Sequence, residues 1–307
     1  MSVLLYTHPA CLSHDPGPGH PESPARLEAV LHAVRAAFPQ LAWREAPAAT
    51  REALLRVHGK ALVSSVLDIE SDDVRRLDDD TAMSPGSAEA ALRAAGAGIA
   101  SVDALMAGEA RQAFCAVRPP GHHATANAAM GFCLFNSIAV AAAHAVHAHG
   151  LHRVAIADFD VHHGNGSQDI FAGDPRVMYV SSHQAPLYPH TGLPGERGVG
   201  NLANATLPPG SGGDAFRAAW RERLLPELEA FKPQLLLVSA GFDGHRLDPL
   251  ADLALEPEDY RWISHELAAL AGRHGQGRVV SMLEGGYSLS ALRACSVAHL
   301  HGLRDAA

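Results

Sequence analysis

The segment Ile156-Ala157-Asp158-Phe159-Asp160-Val161-His162-His163-Gly164-Asn165-Gly166 organises the rest of this chain. Its apolar start belongs to a predicted strand, Arg153–Ala157, which runs directly into two carboxylates and two histidines. If the backbone stays extended there, Asp160 and His162 fall on the same side. A carboxylate oxygen beside an imidazole nitrogen suits Zn2+. Taken alone, the segment also reads as a capped strand end with solvated histidines.

Three other apolar runs end in a similar way. Leu236-Leu237-Val238-Ser239-Ala240-Gly241-Phe242-Asp243-Gly244-His245 ends an apolar run in Asp243, with Gly241 and Gly244 on either side. Asp is common in turns, yet with Asp160 and His162 it completes a three-ligand set. Three protein ligands and an open position mark a reactive zinc site rather than a structural one. Arg118-Pro119-Pro120-Gly121-His122-His123 presents adjacent histidines after a turn. Two carboxylate ligands cancel most of the charge of a divalent ion, so bound water is activated less and an external base is needed. Histidine titrates in the useful range. Met282-Leu283-Glu284-Gly285-Gly286-Tyr287 presents a phenol, which reads either as a cap on the sheet or as a donor to developing negative charge.

These segments sit in an alternating pattern. Strands are predicted at Val3–Tyr6, Gln112–Val117, Arg153–Ala157, Val177–Ser181, Gln234–Ser239 and Arg278–Leu283. Helices are predicted at Pro24–Phe38, Ser87–Ala107, Phe135–His149, Asp214–Phe231, Pro257–His274 and Ser288–Leu303, with a single turn at Gln168–Ala172. Ser23 before Pro24 has the form of a helix N-cap. Such alternation predicts an α/β fold with a mostly parallel, doubly covered sheet. The long Gly- and Pro-rich loops, 118–131, 183–201 and 241–257, each follow a strand, and ligands in open α/β sheets bind beyond strand carboxyl ends.

Composition narrows the function. The 307 residues are 47% hydrophobic and 19% charged, enough to bury a sizeable core. A net charge of -9 without a basic run argues against a nucleic-acid groove. Four dispersed cysteines without a CxxC pair, the absence of a signal-like start and the lack of a long apolar run predict a cytoplasmic protein with reduced thiols and no membrane span. Of the 20 histidines, His144, His147, His149 and His152 cluster on one helix and its exit. Their spacings of three and five could suggest a second metal, but no carboxylate or cysteine accompanies them, so they read as a solvated helix face.

Together HPESPARL from His20, RPPGHH, GFCLFN, DFDVHHGNG, SAGFD and LEGGY resemble the histone deacetylase superfamily, which includes acetylpolyamine amidohydrolases and acetoin-utilisation-type proteins. The LEGGY and HHGNG wording resembles its class II branch. The resemblance spans nearly the whole chain. It implies the arginase/deacetylase fold, one domain over residues 1–307 with a central eight-stranded parallel sheet flanked by helices. It implies one catalytic Zn2+ on Asp160, His162 and Asp243. Arginases need a second metal, held by carboxylates where this chain has Gly164 and His245. His122 and His123 match the tandem histidines, with His123 the main base. Asp158 matches the carboxylate behind the first histidine, and Asn165 stands behind the second where class I members have Asp. A neutral amide there should leave the His123 pKa lower than a carboxylate would. Asp158, Asp160, His162, Ser181 and Ser182 match a structural K+ site. Tyr287 matches the residue that polarises the scissile carbonyl. Phe132 and Tyr188 match the walls of an acyl-lysine tunnel, and Gly131 part of its floor.

The expected activity is zinc-dependent hydrolysis of N-acyl-lysine in peptides or proteins to free amine and carboxylate. Acetylpolyamines or other small acetylated amines are the alternative. In the polyamine branch an acidic residue follows the Asp-Pro of the loop after GFD. Here Asp248-Pro249 precedes Leu250, which favours acyl-lysine. Asp80, in an acidic run, sits where a rim loop could grip a substrate backbone, or is merely solvated. A non-catalytic acyl-lysine binder is the reading from another class, and the intact ligand and histidine set weighs against it.

Overall fold

The computed structural model describes residues 3–69 and 72–306. Its strands are β1 (Val3–Thr7), β2 (Trp43–Glu45), β3 (Arg75–Arg76), β4 (Ala82–Met83), β5 (Gln112–Cys115), β6 (Val154–Asp158), β7 (Val177–Gln184), β8 (Leu202–Leu207), β9 (Leu235–Ala240) and β10 (Val279–Leu283). The helices are α1 (Pro24–Ala37), α2 (Arg51–Leu54), α3 (Lys60–Leu67), α4 (Ser87–Met106), α5 (Ser137–His149), α6 (Asn165–Phe171), α7 (Gly213–Ala219), α8 (Leu225–Phe231), α9 (Pro257–His274) and α10 (Leu289–Asp305).

Eight strands form one sheet in the order β2-β1-β5-β10-β9-β6-β7-β8, every pair parallel. The strands β5, β6, β9 and β10 are buried at every residue. A strand buried on both sides needs a layer on each face, which explains its continuous apolar run. The layers are α4 packed on α5, and α10 packed on α1 and α9. The α4–α5 contact is close because small residues make it. A side chain at Gly98 would press on Ala141 of α5 and Met282 of β10. The Asn136 side chain accepts the Ala139 N–H and caps α5, and Gly150 ends it with φ 64. All four cysteines are unpaired and buried. Among the described residues no helix is long and apolar enough to cross a membrane.

The expected fold is present, with local corrections. The edge strands β2 and β8 were not predicted: β2 has three half-exposed or exposed residues, and β8 carries Asn204 and Thr206 where an apolar run would be. The predicted helix Asp214–Phe231 is broken by a π-helical turn, Trp220–Leu224, that leads into Pro226 of α8. The backbone carbonyl four residues before a proline has no N–H to receive, so a wider turn is a ready accommodation. Ser23 does occupy the N-cap of α1, but its side chain makes no capping bond.

Candidate active site

The sheet order gathers the four chemistry-bearing segments. β5, β10, β9 and β6 are consecutive neighbours, and RPPGHH, EGGY, GFDGH and DVHHGNG leave their carboxyl ends. Asp160 and His162 do converge, but not because a strand continues. β6 stops at Asp158, and the next residues form a turn held by side chains. Asp158 accepts the Asp160 N–H at 3.1 Å, Asp160 accepts the His162 N–H at 2.9 Å, and Asp243 accepts the Val161 N–H at 2.9 Å. Nδ1 of His162 lies 3.3 Å from Asp160 Oδ1 and 3.2 Å from Asp243 Oδ2.

These three buried residues offer ligand atoms within 4.8 Å of one another. Their electrostatics fit a cation. Burial disfavours charge on His162, but its bonds to Asp160 and Asp243 push its pKa up to about 10. Burial, together with the charge of Asp160, pushes the Asp243 carboxyl up to about 7. Two carboxylates buried this close need positive charge between them, which a divalent ion would supply in place of protons. Glycines admit the ligands: a side chain at Gly285 would collide with Asp243 and Asp160, and one at Gly241 with Asp160.

The paired histidines stand beside this cluster with rings 4.1 Å apart. His122 Nδ1–H donates to Asp158 Oδ2 at 3.0 Å. The same carboxylate oxygen receives the Tyr179 hydroxyl, which accepts the Gly164 N–H. Burial opposes charge on His122, but Asp160, Asp158 and Glu284 raise its pKa well above the ordinary value. His123 Nδ1–H donates to Asn165 Oδ1 at 2.8 Å, which leaves Nε2 as the basic atom. Burial and the charges of His122 and His162 hold the His123 pKa well below the ordinary range. One ring is thus disposed to stay charged and the other to stay neutral.

A cavity of about 260 Å³ opens over the cluster, lined by Asp80, His123, Gly131, Phe132, His162, Leu187, Tyr188, Leu250 and Tyr287. It brings together every residue singled out for substrate contact. Gly131 has φ 56, and a side chain there would meet the His123 ring at 2.5 Å. Asp80 is not simply a solvated acid. Its Oδ1 accepts the Gly131 N–H at 3.1 Å and the Thr81 hydroxyl at 2.8 Å, and Thr81 accepts the Phe132 N–H at 3.0 Å. Among the described residues the Tyr188 hydroxyl has no hydrogen-bond partner. Asp158 and Ser181 are paired neighbours on β6 and β7. Ser181 Oγ meets His183 Nδ1 at 2.9 Å, and Ser182 Oγ accepts the Trp220 indole N–H at 2.9 Å.

Several charged groups that organise the site had no role in the sequence reading. Fully buried Glu284 accepts the N–H groups of Gly121 at 2.6 Å and His122 at 3.2 Å. Asp248 accepts the N–H groups of Tyr287 at 2.7 Å and Leu250 at 3.0 Å. Buried Glu22 joins Arg118, at 2.5 Å through both oxygens, and Arg26 at 2.9 Å. Arg26 also donates to the carbonyls of Gly286 and Glu284 and lies 4.8 Å from the centre of the Tyr287 ring. For Glu284 the available signal was a charged residue directly after the apolar run of β10, between Leu283 and Gly285; Glu22, Arg26 and Asp248 lie on α1 or in loops and carried no such signal.

Known proteins agree with this architecture. The sequence profile of the histone deacetylase domain matches residues 20–303. A histone deacetylase-like amidohydrolase of Pseudomonas aeruginosa is 41% identical over 94% of this chain and 78% of its own length. The human polyamine deacetylase HDAC10 is 38% identical over 94% of this chain, which spans 44% of that protein. The crystal structure of the HDA15 HD domain superposes with a TM-score of 0.92 at 33% identity, covering 99% of this chain and 89% of that one. With its profile match, its relatives and its eight-stranded parallel sheet in accord, the chain belongs to the histone deacetylase family.

Proposed function

We propose that this protein is a zinc-dependent deacylase that hydrolyses N-acyl-lysine side chains of peptides or proteins. The observation that carries the proposal is the convergence of Asp160, His162 and Asp243 at a cavity that also presents His123 and Tyr287. When bound by these ligands, Zn2+ supplies Lewis-acid polarisation of the acyl carbonyl and lowers the pKa of water.

The chain's own residues supply the rest. Phe132 and Tyr188 flank the acyl-lysine stem, and Leu187 and Leu250 keep the cavity mouth apolar. His123 Nε2 takes the proton of the attacking water as the new C–O bond forms. His122, charged and tied to Asp158, stabilises negative charge without competing as the base. The Tyr287 hydroxyl donates to the carbonyl oxygen as it becomes an oxyanion. Arg26 and the edge of Phe132, whose ring lies 5.8 Å from that of Tyr287, hold the phenol in place. His123 then returns the proton to the nitrogen as the C–N bond breaks, giving free amine and carboxylate.

Asp158, Asp160, His162, Ser181 and Ser182 are buried and oxygen-rich, and would hold a structural K+. Burial raises the Asp158 pKa, with the nearby charge of Asp160 adding to the rise and His122 opposing it. A second substrate class, acetylated polyamines, is favoured by the HDAC10 relative and disfavoured by Leu250 at the cavity. The test is release of amine from a fluorogenic acetyl-lysine peptide and from N-acetylated polyamines, before and after chelation and after zinc is restored. Chelator-sensitive turnover of the peptide in preference to the polyamines is expected. Turnover that survives complete metal removal would contradict the mechanism.

A further inference from the structure

The histidine group at the end of α5 is not a uniform solvated face. His147 and His152 are exposed. His144 and His149 instead point their Nε2 atoms at one oxygen, Oδ1 of Asp103, each at 2.7 Å. Asp103 lies on α4, the helix packed against α5, and supplies the carboxylate that the local sequence lacks. The two rings stand 5.4 Å apart at 78°. The three donor atoms lie within 4.8 Å of one another.

We propose that Asp103, His144 and His149 form a second binding site for a divalent ion of the zinc class, one that clamps α4 to α5. Two imidazole nitrogens and a carboxylate oxygen are a donor set for such ions, with solvent completing the coordination. Ligand distances of about 2.0–2.2 Å at tetrahedral angles separate donor atoms by about 3.3–3.6 Å. The 2.7 Å separations must therefore open slightly. They can, because the Asp103 side chain is 51% exposed and His149 is the last residue of α5. The clamp lies away from the hydrolytic cavity. α5 starts near the strand carboxyl ends and runs back to the start of β6, and α4 likewise ends shortly before the start of β5.

Arg56 identifies the proton that the ion replaces. Its Nη1 stands 3.4 Å from Nδ1 of His144. A guanidinium only donates, so Nδ1 accepts and the ring proton sits on Nε2, facing Asp103. Ligation through Nε2 moves that proton to Nδ1. Arg56 must then turn away, toward Glu52, which it already reaches at 3.4 Å. Its charge also opposes an incoming cation.

The test is Zn2+ titration of the zinc-loaded protein, followed by calorimetry, elemental analysis after desalting, and thermal melting. Wild type is expected to hold one more equivalent per chain than His149→Ala and to melt higher with added Zn2+, while the variant keeps its deacylase activity. Asp103→Asn preserves an oxygen for both N–H bonds but offers a poor ligand, so loss of the same equivalent there separates ligation from folding. Arg56→Gln retains the equivalent and binds it more tightly. Equal stoichiometry in wild type and His149→Ala, or an extra equivalent that survives both ligand substitutions, overturns the proposal.

Discussion

Asn165→Asp tests the division of labour proposed for the paired histidines, His122 and His123. The structure contains its own reference. His122 Nδ1 faces a carboxylate at 3.0 Å, whereas His123 Nδ1 faces a neutral amide at 2.8 Å. Burial opposes charge on both rings; Asp160 and Asp158 then shift His122 up, whereas the charges of His122 and His162 help push His123 down. A unit charge about 3 Å away at an effective dielectric constant of about 20 is worth roughly 5 kcal/mol to an imidazolium. Part of this is lost to desolvation of the new carboxylate, so a rise of about 1–3 pKa units in His123 is expected. A base with a higher pKa stays protonated to higher pH, so the acid limb of kcat/KM moves upward by that amount. The assay is initial rate against pH on a fluorogenic acetyl-lysine peptide, with zinc content matched in both proteins. Below the shifted limb the variant should be slower by about tenfold or more, with the gap closing as pH rises. A limb that stays in place, or moves to lower pH, refutes the assignment of His123 as the base.

Three other outcomes are expected. Tyr287→Phe removes the oxyanion donor and should lower kcat by about 10²–10³ while zinc content stays at the wild-type level; wild-type kcat would contradict the role. Asp248→Asn keeps one oxygen for either the Tyr287 or the Leu250 N–H and leaves the other short of a partner, a loss of about 1–3 kcal/mol. It should lower both kcat and the thermal midpoint, and an effect on stability alone would remove Asp248 from the positioning of Tyr287. His58 is held at about 4, below the unfolded value, by burial, and its Nε2 accepts the N–H of Asn136, the cap of α5, at 2.9 Å. The unfolded chain then binds the extra proton, so this contribution, on the order of 3 kcal/mol, is present at neutral pH and lost as pH falls from about 6.5 to about 4. Urea midpoints between neutral and mildly acidic pH should show a smaller decline in His58→Gln than in wild type.

The strand cores were legible because burial on both faces demands continuous apolar runs, as in Leu235–Ala240 and Val154–Asp158. The metal-ligand candidates were legible because Asp160, His162 and Asp243 follow such runs directly, where a loop must leave the sheet. β2 escaped notice because three residues carry no periodicity, and β8 because its polar residues break the apolar pattern. Asp160 and His162 do lie side by side, but not through the extended strand that the sequence suggested. Side-chain bonds from Asp158, Asp160 and Asp243 shape that turn.

Residue types and their order along the chain were enough to predict parallel α/β architecture, the acids and histidines at strand ends and the chemistry they suit. They were not enough to say which partners meet. Glu284 beneath the paired histidines, Asp248 behind Tyr287, Glu22 between two arginines and Asp103 between two rings are all contacts between separate segments, set by strand order and helix packing. Local periodicity reports only which face a side chain leaves from. Burial in a low-dielectric interior then makes those long-range pairings consequential, because a charge without its partner there carries a large desolvation cost.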